Sequence, residues 1–172
     1  MSTRRLCVVT FAVATLAACR QPAPPPPPPD AAALRAAIEQ RLTAAMAVYD
    51  RRDAAGAAAT FTSDAVWILP DGSRLAGTAA ITEGYARFFA SLDAFRTESV
   101  GIDRFLVVGD REVVTFSHAV AALTPKGETD AVRHVNPFAD LWRLGDDGVW
   151  RIAYEINADG PLAADAAWGA AR

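Results

Sequence analysis

The sequence predicts an α+β domain in which helices come first and an antiparallel sheet follows. Apolar residues recur at helical spacing through the first half of the chain and at two-residue spacing from about residue 97 onward. Clusters of Gly, Pro and Asp separate the later segments. Helices followed by hairpin-connected strands are the order typical of α+β folds. About 140 residues remain after the N-terminal segments described below, which fits one domain.

The first predicted helix begins after Asp30, and its apolar residues are spaced by four, four, three and four positions. This spacing places them on one face of an amphipathic helix. They are Leu34, Ile38, Leu42, Ala45 and Tyr49. Asp53 is a suitable N-cap for a short, alanine-rich second helix that ends near Thr62 and Ser63.

A short β-prone segment, AVWILP, comes next and ends at the turn Pro70-Asp71-Gly72. The third predicted helix starts near Thr78. It carries a stripe of large apolar residues at steps of four, three and four: Ile81, Tyr85, Phe88 and Leu92. Such a stripe predicts a large apolar surface opposite the helix.

Four strands are predicted after Thr97. SVGIDRFLVV and REVVTFSHAVAALT form a hairpin around Gly109-Asp110, and Pro125-Lys126-Gly127 closes its far end. AVRHVNPFADLWRL and VWRIAYEIN form a second hairpin around the turn GDDG. Strands joined in this way pair as neighbours, so the four form an antiparallel meander.

Two stretches of the domain carry a family resemblance. YDRRDAAGAAATFTSDAVWILPDG, followed by GTAAI, and the closing FADLWRLGDDGVWRIAYEIN resemble the opening and the last hairpin of SnoaL-like domains, a branch of the nuclear transport factor 2-like fold. The similarity covers about residues 32–157. It implies a cone in which three N-terminal helices pack on a curved antiparallel sheet, whose outer face often serves for homodimerisation. Members include isomerases, cyclases, dehydratases, epoxide hydrolases and binding or assembly domains, so the resemblance does not define a function.

The strand REVVTFSHAVA carries a candidate catalytic histidine. The two-residue period puts Val114, Phe116, His118 and Val120 on one face, which we expect to face the cavity. There His118 would act as a general acid or base near neutral pH. The alternative is a buried histidine satisfied by a backbone or tyrosine partner.

The next strand carries a candidate catalytic acid, Asp140. It shares a face with His134, Asn136, Phe138 and Trp142, and its position resembles one where related enzymes carry an inward acid. A carboxyl group beside two aromatic rings would be desolvated, which raises its pKa and suits it to proton transfer. The alternative is a carboxylate paired with an arginine or a tyrosine hydroxyl for structure alone. A bulge at Pro137 would shift these faces.

A third catalytic candidate, Tyr154, lies on the last strand. It and Tyr85 would each aim a hydroxyl at a ligand, unless they are simply core. The predicted ligand-binding residues are Trp67, Tyr85, Phe89, Phe116, Asn136 and Phe138. Glu155 and Asn157 have the opposite parity from Tyr154, and the sequence leaves open which of them face inward.

The N-terminal segment has the layout of an export signal. Arg4 and Arg5 precede an uncharged, mostly apolar run of 13 residues that ends at Ala18. A membrane-spanning helix needs about 20 such residues, so a signal peptide over residues 1–18 is the better interpretation. The segment LAAC resembles the lipobox of bacterial lipoproteins, in which the signal is cut before the cysteine and the thiol is lipidated.

Cysteine usage agrees with lipidation at Cys19. The chain has two cysteines, and Cys7 would leave with the signal, so Cys19 would otherwise be a lone exported thiol. Six consecutive prolines follow, which cannot join a helix or sheet, and residues 19–30 are therefore predicted to form a polyproline II stalk of roughly 34 Å. Arg20, where an inner-membrane retention signal would have Asp, implies an outer-membrane lipoprotein facing the periplasm.

The domain is predicted to span residues 31–158 and to be followed by a weakly structured tail, residues 159–172. Without the signal the chain has 15 basic and 20 acidic residues, a net charge of −5, which argues against nucleic-acid binding. The exported chain has no phosphate-binding glycine loop and only two histidines, so no cofactor or metal is predicted. Epoxide hydrolases of this fold carry a catalytic Arg, and Phe138, two positions before Asp140, departs from their pattern.

Three functions stay open at this point. The first is a lipid-anchored module that binds a small, mostly apolar molecule in the cone. The second is a proton-transfer enzyme, an isomerase or dehydratase, in which Asp140 or His118 is the base and Tyr85, Asn136 or Tyr154 stabilises an oxyanion. The third is an assembly domain that pairs through its sheet. Few ionisable groups fall on the predicted inward faces, which favours binding.

Overall fold

The computed structural model describes residues 30–158 as three helices and six strands. The elements are α1 (Ala31–Asp50), α2 (Ala54–Ala58), β1 (Phe61–Ile68), β2 (Arg74–Ala76), α3 (Gly77–Ala90), β3 (Leu92–Gly109), β4 (Glu112–Pro125), β5 (Val132–Leu144) and β6 (Trp150–Asn157). The predicted signal peptide, nearly all of the stalk including Cys19, and the tail lie outside the described residues. Within the described range, no helix has the length and apolar character needed to cross a membrane.

All six strands belong to one sheet in the order β2-β1-β6-β5-β4-β3. The meander β3 to β6 is antiparallel throughout, as predicted. The edge differs from the prediction, because β1 runs parallel to β6 and the sheet is therefore mixed. Parallel neighbours need a long connection, and here α3 and the whole meander intervene between the two strands.

The short strand β2 is absent from the sequence prediction. It pairs with β1 across the turn at Gly72, which has a positive φ of 80°. Three residues are too few to show a two-residue period. Together with β1, this strand places two elements between α2 and α3, so the three helices do not precede the sheet as one block.

The sheet is strongly curved. The pairing of β3 with β4 shifts register at four places along its length. Each shift inserts a residue on one strand, which bends that strand and increases its twist. The curved sheet packs against α1 and α3 on its concave side.

The core lies between these two helices and the concave face. The predicted face of α1 is confirmed, with Ile38, Leu42 and Ala45 buried. Asp53 caps α2 as predicted, since its carboxylate accepts a hydrogen bond from the backbone N–H of Gly56 at 2.9 Å. On α3 the buried residues are Ile81, Tyr85 and Phe89.

The predicted stripe of α3 is wrong at its C-terminal end. Phe88 is 40% exposed, and Phe89, four positions after Tyr85, takes its place in the core. The helix ends at Ala90, so Leu92 is buried as the first residue of β3. Phe88 and Phe89 lie three and four positions after Tyr85, and both spacings are compatible with one helix face. Which of them is buried depends on how the helix packs against the sheet.

Candidate functional site

A cavity of about 720 Å³ lies inside the cone, between α1, α3 and the concave face of the sheet. Its wall is mainly apolar and unusually rich in aromatic rings. Those that line it are Tyr49, Trp67, Tyr85, Phe88, Phe89, Phe95 and Phe138. Among the polar side chains that also line it are His134, Asn136, Glu155 and Asn157.

Four side chains form a row across the inner face of the sheet. Trp67 on β1 is in register with Glu155 on β6, Glu155 with Asp140 on β5, and Asp140 with Thr115 on β4. Residues paired in this way point to the same face of a sheet and have their Cβ atoms about 5 Å apart. Glu155 lines the cavity. The row therefore places a second carboxyl group, that of Asp140, directly beside it in the protein interior.

Both carboxyl groups are almost completely buried, with Asp140 1% and Glu155 6% exposed. Within residues 30–158, no Lys, Arg or His forms an ion pair with either of them. Neither oxygen of Asp140 has a hydrogen-bond partner in the same range. Two acids at this depth without a cation are unusual, because a buried charge is normally paired.

Burial determines the protonation state of the pair. It raises the pKa of Asp140 well above its usual value, and the neighbouring charge of Glu155 raises it further. Burial also raises the pKa of Glu155 to about 8, and a hydrogen bond from Asn157 offsets this only in part. Near neutral pH, Glu155 is therefore largely a neutral carboxylic acid that can donate a hydrogen bond into the cavity.

A pair of tyrosines lies in the same cavity. The hydroxyl oxygens of Tyr49 and Tyr85 are 2.9 Å apart, and the two rings stack with centroids 5.3 Å apart. Burial and the nearby charge of Glu155 raise the pKa of both phenols. Both therefore stay protonated, and one hydroxyl donates to the other.

Trp67 fixes the remaining polar group at this end of the cavity. Its ring stacks on Tyr85 with centroids 4.6 Å apart, and its indole N–H donates to Oδ1 of Asn157 at 2.6 Å. An indole can only donate, so the amide oxygen of Asn157 is occupied and its NH₂ group remains as a donor. Glu155, Asn157 and the tyrosine pair thus form a polar group within a mainly apolar cavity.

The structure places most of the predicted ligand-binding residues around this cavity. Trp67, Tyr85, Phe89, Asn136 and Phe138 all line it. Asp140 points inward, as expected, and its strand pairs with β4 without a shift at Pro137. The binding and catalytic roles of these residues stay predictions.

Three predicted site residues, Phe116, His118 and Tyr154, lie on the outer face of the sheet. The predicted inward orientation of Phe116 and His118 is wrong, and Tyr154, whose orientation the sequence left open, points outward. In the first half of β4 the buried residues are Val113, Thr115 and Ser117, which have the opposite parity from Phe116 and His118. Further along the strand, Val120 and Ala121 are both buried. Phe116 is 40% exposed. The His118 ring instead contacts Asp103 of β3 on the outer surface, with Nδ1 2.9 Å from a carboxylate oxygen. Both faces of this strand are largely apolar in sequence, so the period gave no basis for choosing between them.

The third of these residues, Tyr154, is 38% exposed. It would share a face with Trp150 and Ile152 if β6 were regular. A register shift between β5 and β6 occurs at this point, since Leu141 pairs with Tyr154 but Trp142 already pairs with Ile152. The extra residue, Ala153, turns Tyr154 outward and Glu155 inward.

Sequence reasoning left open whether Glu155 faces the cavity, and it missed Tyr49 as a site residue. Tyr49 was assigned only to the packing face of α1, and the orientation of Glu155 depends on the bulge at Ala153. One signal could have found Glu155: an acid in the middle of an otherwise apolar strand, in register with another acid on the neighbouring strand. Within the described residues, no group of three His, Cys, Asp or Glu side chains could hold a metal ion.

The mixed sheet, the helices packed in its concave face and the cavity between them define a nuclear transport factor 2-like cone. Residues 42–154 match the SnoaL-like domain family, and the chain belongs to that family. No curated protein matches the sequence significantly.

Solved structures with the same fold are numerous. They include a ketosteroid isomerase-like protein from Erwinia carotovora atroseptica, with 20% identity, a TM-score of 0.63 and coverage of 72% of this chain and 93% of that one. A hexachlorocyclohexane dehydrochlorinase from Novosphingobium barchaimii has 16% identity, a TM-score of 0.63 and coverage of 73% and 86%. A domain with a cystatin-like fold from Nostoc punctiforme has 21% identity, a TM-score of 0.61 and coverage of 74% and 78%. At these identities the similarity shows the fold alone.

The outer face of the sheet exposes a group of large apolar side chains. It includes Leu106, Phe116, Tyr154 and Ile156, each at least 38% exposed. The homodimer implied by the family resemblance stays a prediction.

Proposed function

We propose that the domain binds a small, mostly apolar molecule inside the cone. The observation that carries this proposal is the cavity of about 720 Å³ with its aromatic wall and a small number of polar groups. Pockets that bind small molecules usually have volumes of roughly 300–1,000 Å³, apolar walls and a few polar groups that orient the ligand. The apolar body of the ligand contacts the rings, and its polar group lies against Glu155 and Asn157.

Filling the cavity is expected to weaken binding. Ala119 lines the cavity, and Ala119→Phe would place a ring in the ligand's space. We expect about a tenfold or greater loss of affinity for the apolar dye N-phenylnaphthylamine, measured by its fluorescence, because the lost apolar contacts correspond to at least 1.4 kcal/mol. The same measurement on the wild-type protein, which should bind the dye, tests the proposed function itself.

Ala139→Phe is the matched control for this experiment. Ala139 pairs with Phe116 on the outer face of the sheet, so the same added ring should leave dye binding unchanged. Equal loss in both variants, or no dye binding by the wild-type protein, would contradict the proposal. If the dye binds as expected, native mass spectrometry of the protein purified from its own membrane fraction would identify a natural ligand.

We further propose that the mature protein is a lipoprotein that holds this domain on a stiff spacer outside the cytoplasm. The support is the sequence around Cys19, with an apolar signal before it and six prolines after it. Anchoring that lasts requires more than one acyl chain, and the lipobox resemblance implies three. An outer-membrane address follows from Arg20 if the cell has an outer membrane.

Cys19→Ala is expected to prevent lipidation, since the thiol is the acceptor. The processed wild-type protein should fractionate with membranes and have the mass of a triacylated chain that begins at residue 19. The variant should lack that mass. It should either be released from the membrane on washing or keep its uncleaved signal. Mass spectrometry of fractionated cells measures these outcomes. Cys7→Ala is the control and should be lipidated normally, because position 7 is removed with the signal peptide. Normal triacylation of the Cys19→Ala variant would exclude this proposal.

A second candidate function is proton transfer on a bound carbonyl compound. The observation that favours it is the buried carboxyl group of Glu155 within the cavity wall, with a pKa raised to about 8. A general acid or base works best with a pKa near the ambient pH. His118 lies on the outer face and Asp140 is absent from the cavity lining, so Glu155 takes the role that was expected for them. One hydroxyl of the Tyr49–Tyr85 pair would donate a hydrogen bond to a developing oxyanion, while the other donates to its partner tyrosine.

A further inference from the structure

Two buried acids, Glu155 of the cavity wall and Asp140 behind it, lack a basic partner in the described part of the chain. Glu155 and Asp140 are neighbours across β6 and β5, both are buried, and no basic side chain pairs with either in the described part of the chain. Removing a charge from water costs several kcal/mol unless an opposite charge or hydrogen bonds replace the solvent. Without a ligand, the protein avoids this cost by keeping protons on the pair.

The neighbourhood of Glu155 suits a cation rather than an anion. Trp67 is its neighbour on β1, and the Trp67 ring stacks on Tyr85. Aromatic faces attract cations, and tryptophan does so most strongly. Asp140 lies beside Glu155 on β5, outside the cavity lining, and adds a second buried carboxyl group to its surroundings.

Other titratable groups around the cavity do not change this balance. Asp140 of β5, Tyr49 of α1 and Tyr85 of α3 are the groups whose charges act together with that of Glu155. Among the remaining residues of the cavity wall, Arg87, His134 and Asp71 are ionisable. Arg87 is exposed and paired with Glu83 at 2.8 Å, and neither it nor His134 forms an ion pair with Glu155.

We propose that the ligand carries one protonated amine, which binds to the Glu155 carboxylate beside Trp67, while its apolar body fills the aromatic part of the cavity. This inference rests on the proposed binding function and specifies its ligand class. On binding, Glu155 releases its proton to solvent, and the ammonium group of the ligand donates a hydrogen bond to the resulting carboxylate. The result is a charge-assisted pair at a buried carboxylate, which is stronger than a neutral hydrogen bond.

A matched pair of compounds tests this inference: phenylbutylamine and the neutral phenylbutanol, which differ only in the terminal group. Binding of each to the full mature protein is measured by isothermal titration calorimetry at pH values from about 6 to 9. We expect the amine to bind at least about tenfold more tightly than the alcohol near pH 8. Because one proton is released, the affinity of the amine should rise by up to tenfold per pH unit below pH 8, whereas that of the alcohol should stay constant.

Glu155→Gln is the decisive variant, since the amide keeps the shape of the side chain without its charge. It should remove both the preference for the amine and the pH dependence, so that the variant binds the amine no more tightly than the alcohol. Asp103→Asn removes an acid on the outer face of the sheet and should have no effect. Calorimetry in two buffers with different ionisation enthalpies should detect proton release when the amine binds and none when the alcohol binds.

The outcomes separate this inference from the proposed function. If the alcohol binds as tightly as the amine, or the preference for the amine survives Glu155→Gln, the amine inference is wrong and apolar binding stands. If neither compound nor N-phenylnaphthylamine binds, both proposals are wrong. If the amine is preferred and the preference depends on Glu155, both are supported.

Discussion

The free energy of unfolding of this domain is expected to decrease as the pH rises from about 4.5 to about 8. The cause is Glu155, whose usual pKa of 4.5 is raised to about 8 by burial in the folded state. Between these values the unfolded chain has lost the proton while the folded chain keeps it, so the folded state binds more protons. The contribution of protonated Glu155 to the free energy of unfolding is fully present below pH 4.5 and is lost as the pH rises through 8. Asp140 acts in the same direction.

Glu155→Gln is expected to remove the share of this decrease that Glu155 contributes, and to leave the share of Asp140. One pKa unit corresponds to about 1.4 kcal/mol, so the wild-type protein should lose roughly 3 kcal/mol or more over this range, and the variant should be more stable than wild type near pH 8. The amide needs no proton to stay neutral, and this is the physical reason for the difference. Urea-induced unfolding followed by tryptophan fluorescence, at intervals from pH 5 to about pH 8.5, measures the effect.

Asp103→Asn provides the control for the stability experiment. Asp103 is 44% exposed at its side chain and contacts His118 on the outer face, so its removal should leave the slope between pH 5 and pH 8 almost unchanged. A wild-type stability that stays constant across this range would show that Glu155 ionises normally. It would also remove the electrostatic argument for proton transfer.

The second large effect is expected on proton exchange at a bound ketone. If the domain transfers protons, wild-type protein should catalyse deuterium uptake from solvent at the carbon beside the carbonyl of β-tetralone, a small apolar ketone that fits the cavity. Glu155→Gln should slow this exchange by about 100-fold or more, because a positioned general base contributes 10²–10⁴ to the rate. The wild-type rate should increase with pH up to about 8, where Glu155 becomes the free base. Proton NMR in deuterated buffer measures the exchange.

Two further variants assign the roles in this reaction. Tyr85→Phe should slow exchange by a smaller factor, about tenfold or more, because it removes one hydrogen-bond donor from the oxyanion. His118→Asn should have no effect, because His118 lies on the other side of the sheet. Exchange no faster than in buffer would exclude proton transfer on this class of ketone, and an equal loss in all three variants would indicate unfolding instead of catalysis.

The order and type of most elements could be predicted from local patterns. The spacing along α1 defined its buried face, and Asp53 marked the start of α2. The meander from β3 to β6 followed from turn residues, because a short turn forces its two strands to pair as antiparallel neighbours. These features depend on residues close together in sequence, and for that reason the sequence alone contains them.

Other features depend on contacts between distant segments. The direction of β1 is decided by its pairing with β6, some 90 residues later, which its own alternation of residues does not encode. The choice between Phe88 and Phe89, or between the two faces of β4, was ambiguous because both options are apolar.

The candidate site shows the same division most clearly. From the sequence, Trp67 and Tyr85 were predicted to line a cavity and Asp140 to point inward, and the structure places Trp67 and Tyr85 in the cavity wall and Asp140 behind it. Only the tertiary structure decided that Glu155 is the acid exposed to the cavity, because the single extra residue at Ala153 reverses the parity of β6. A bulge is set by how two strands fit together across a curved sheet, so no pattern within β6 alone could reveal which of its side chains face the ligand.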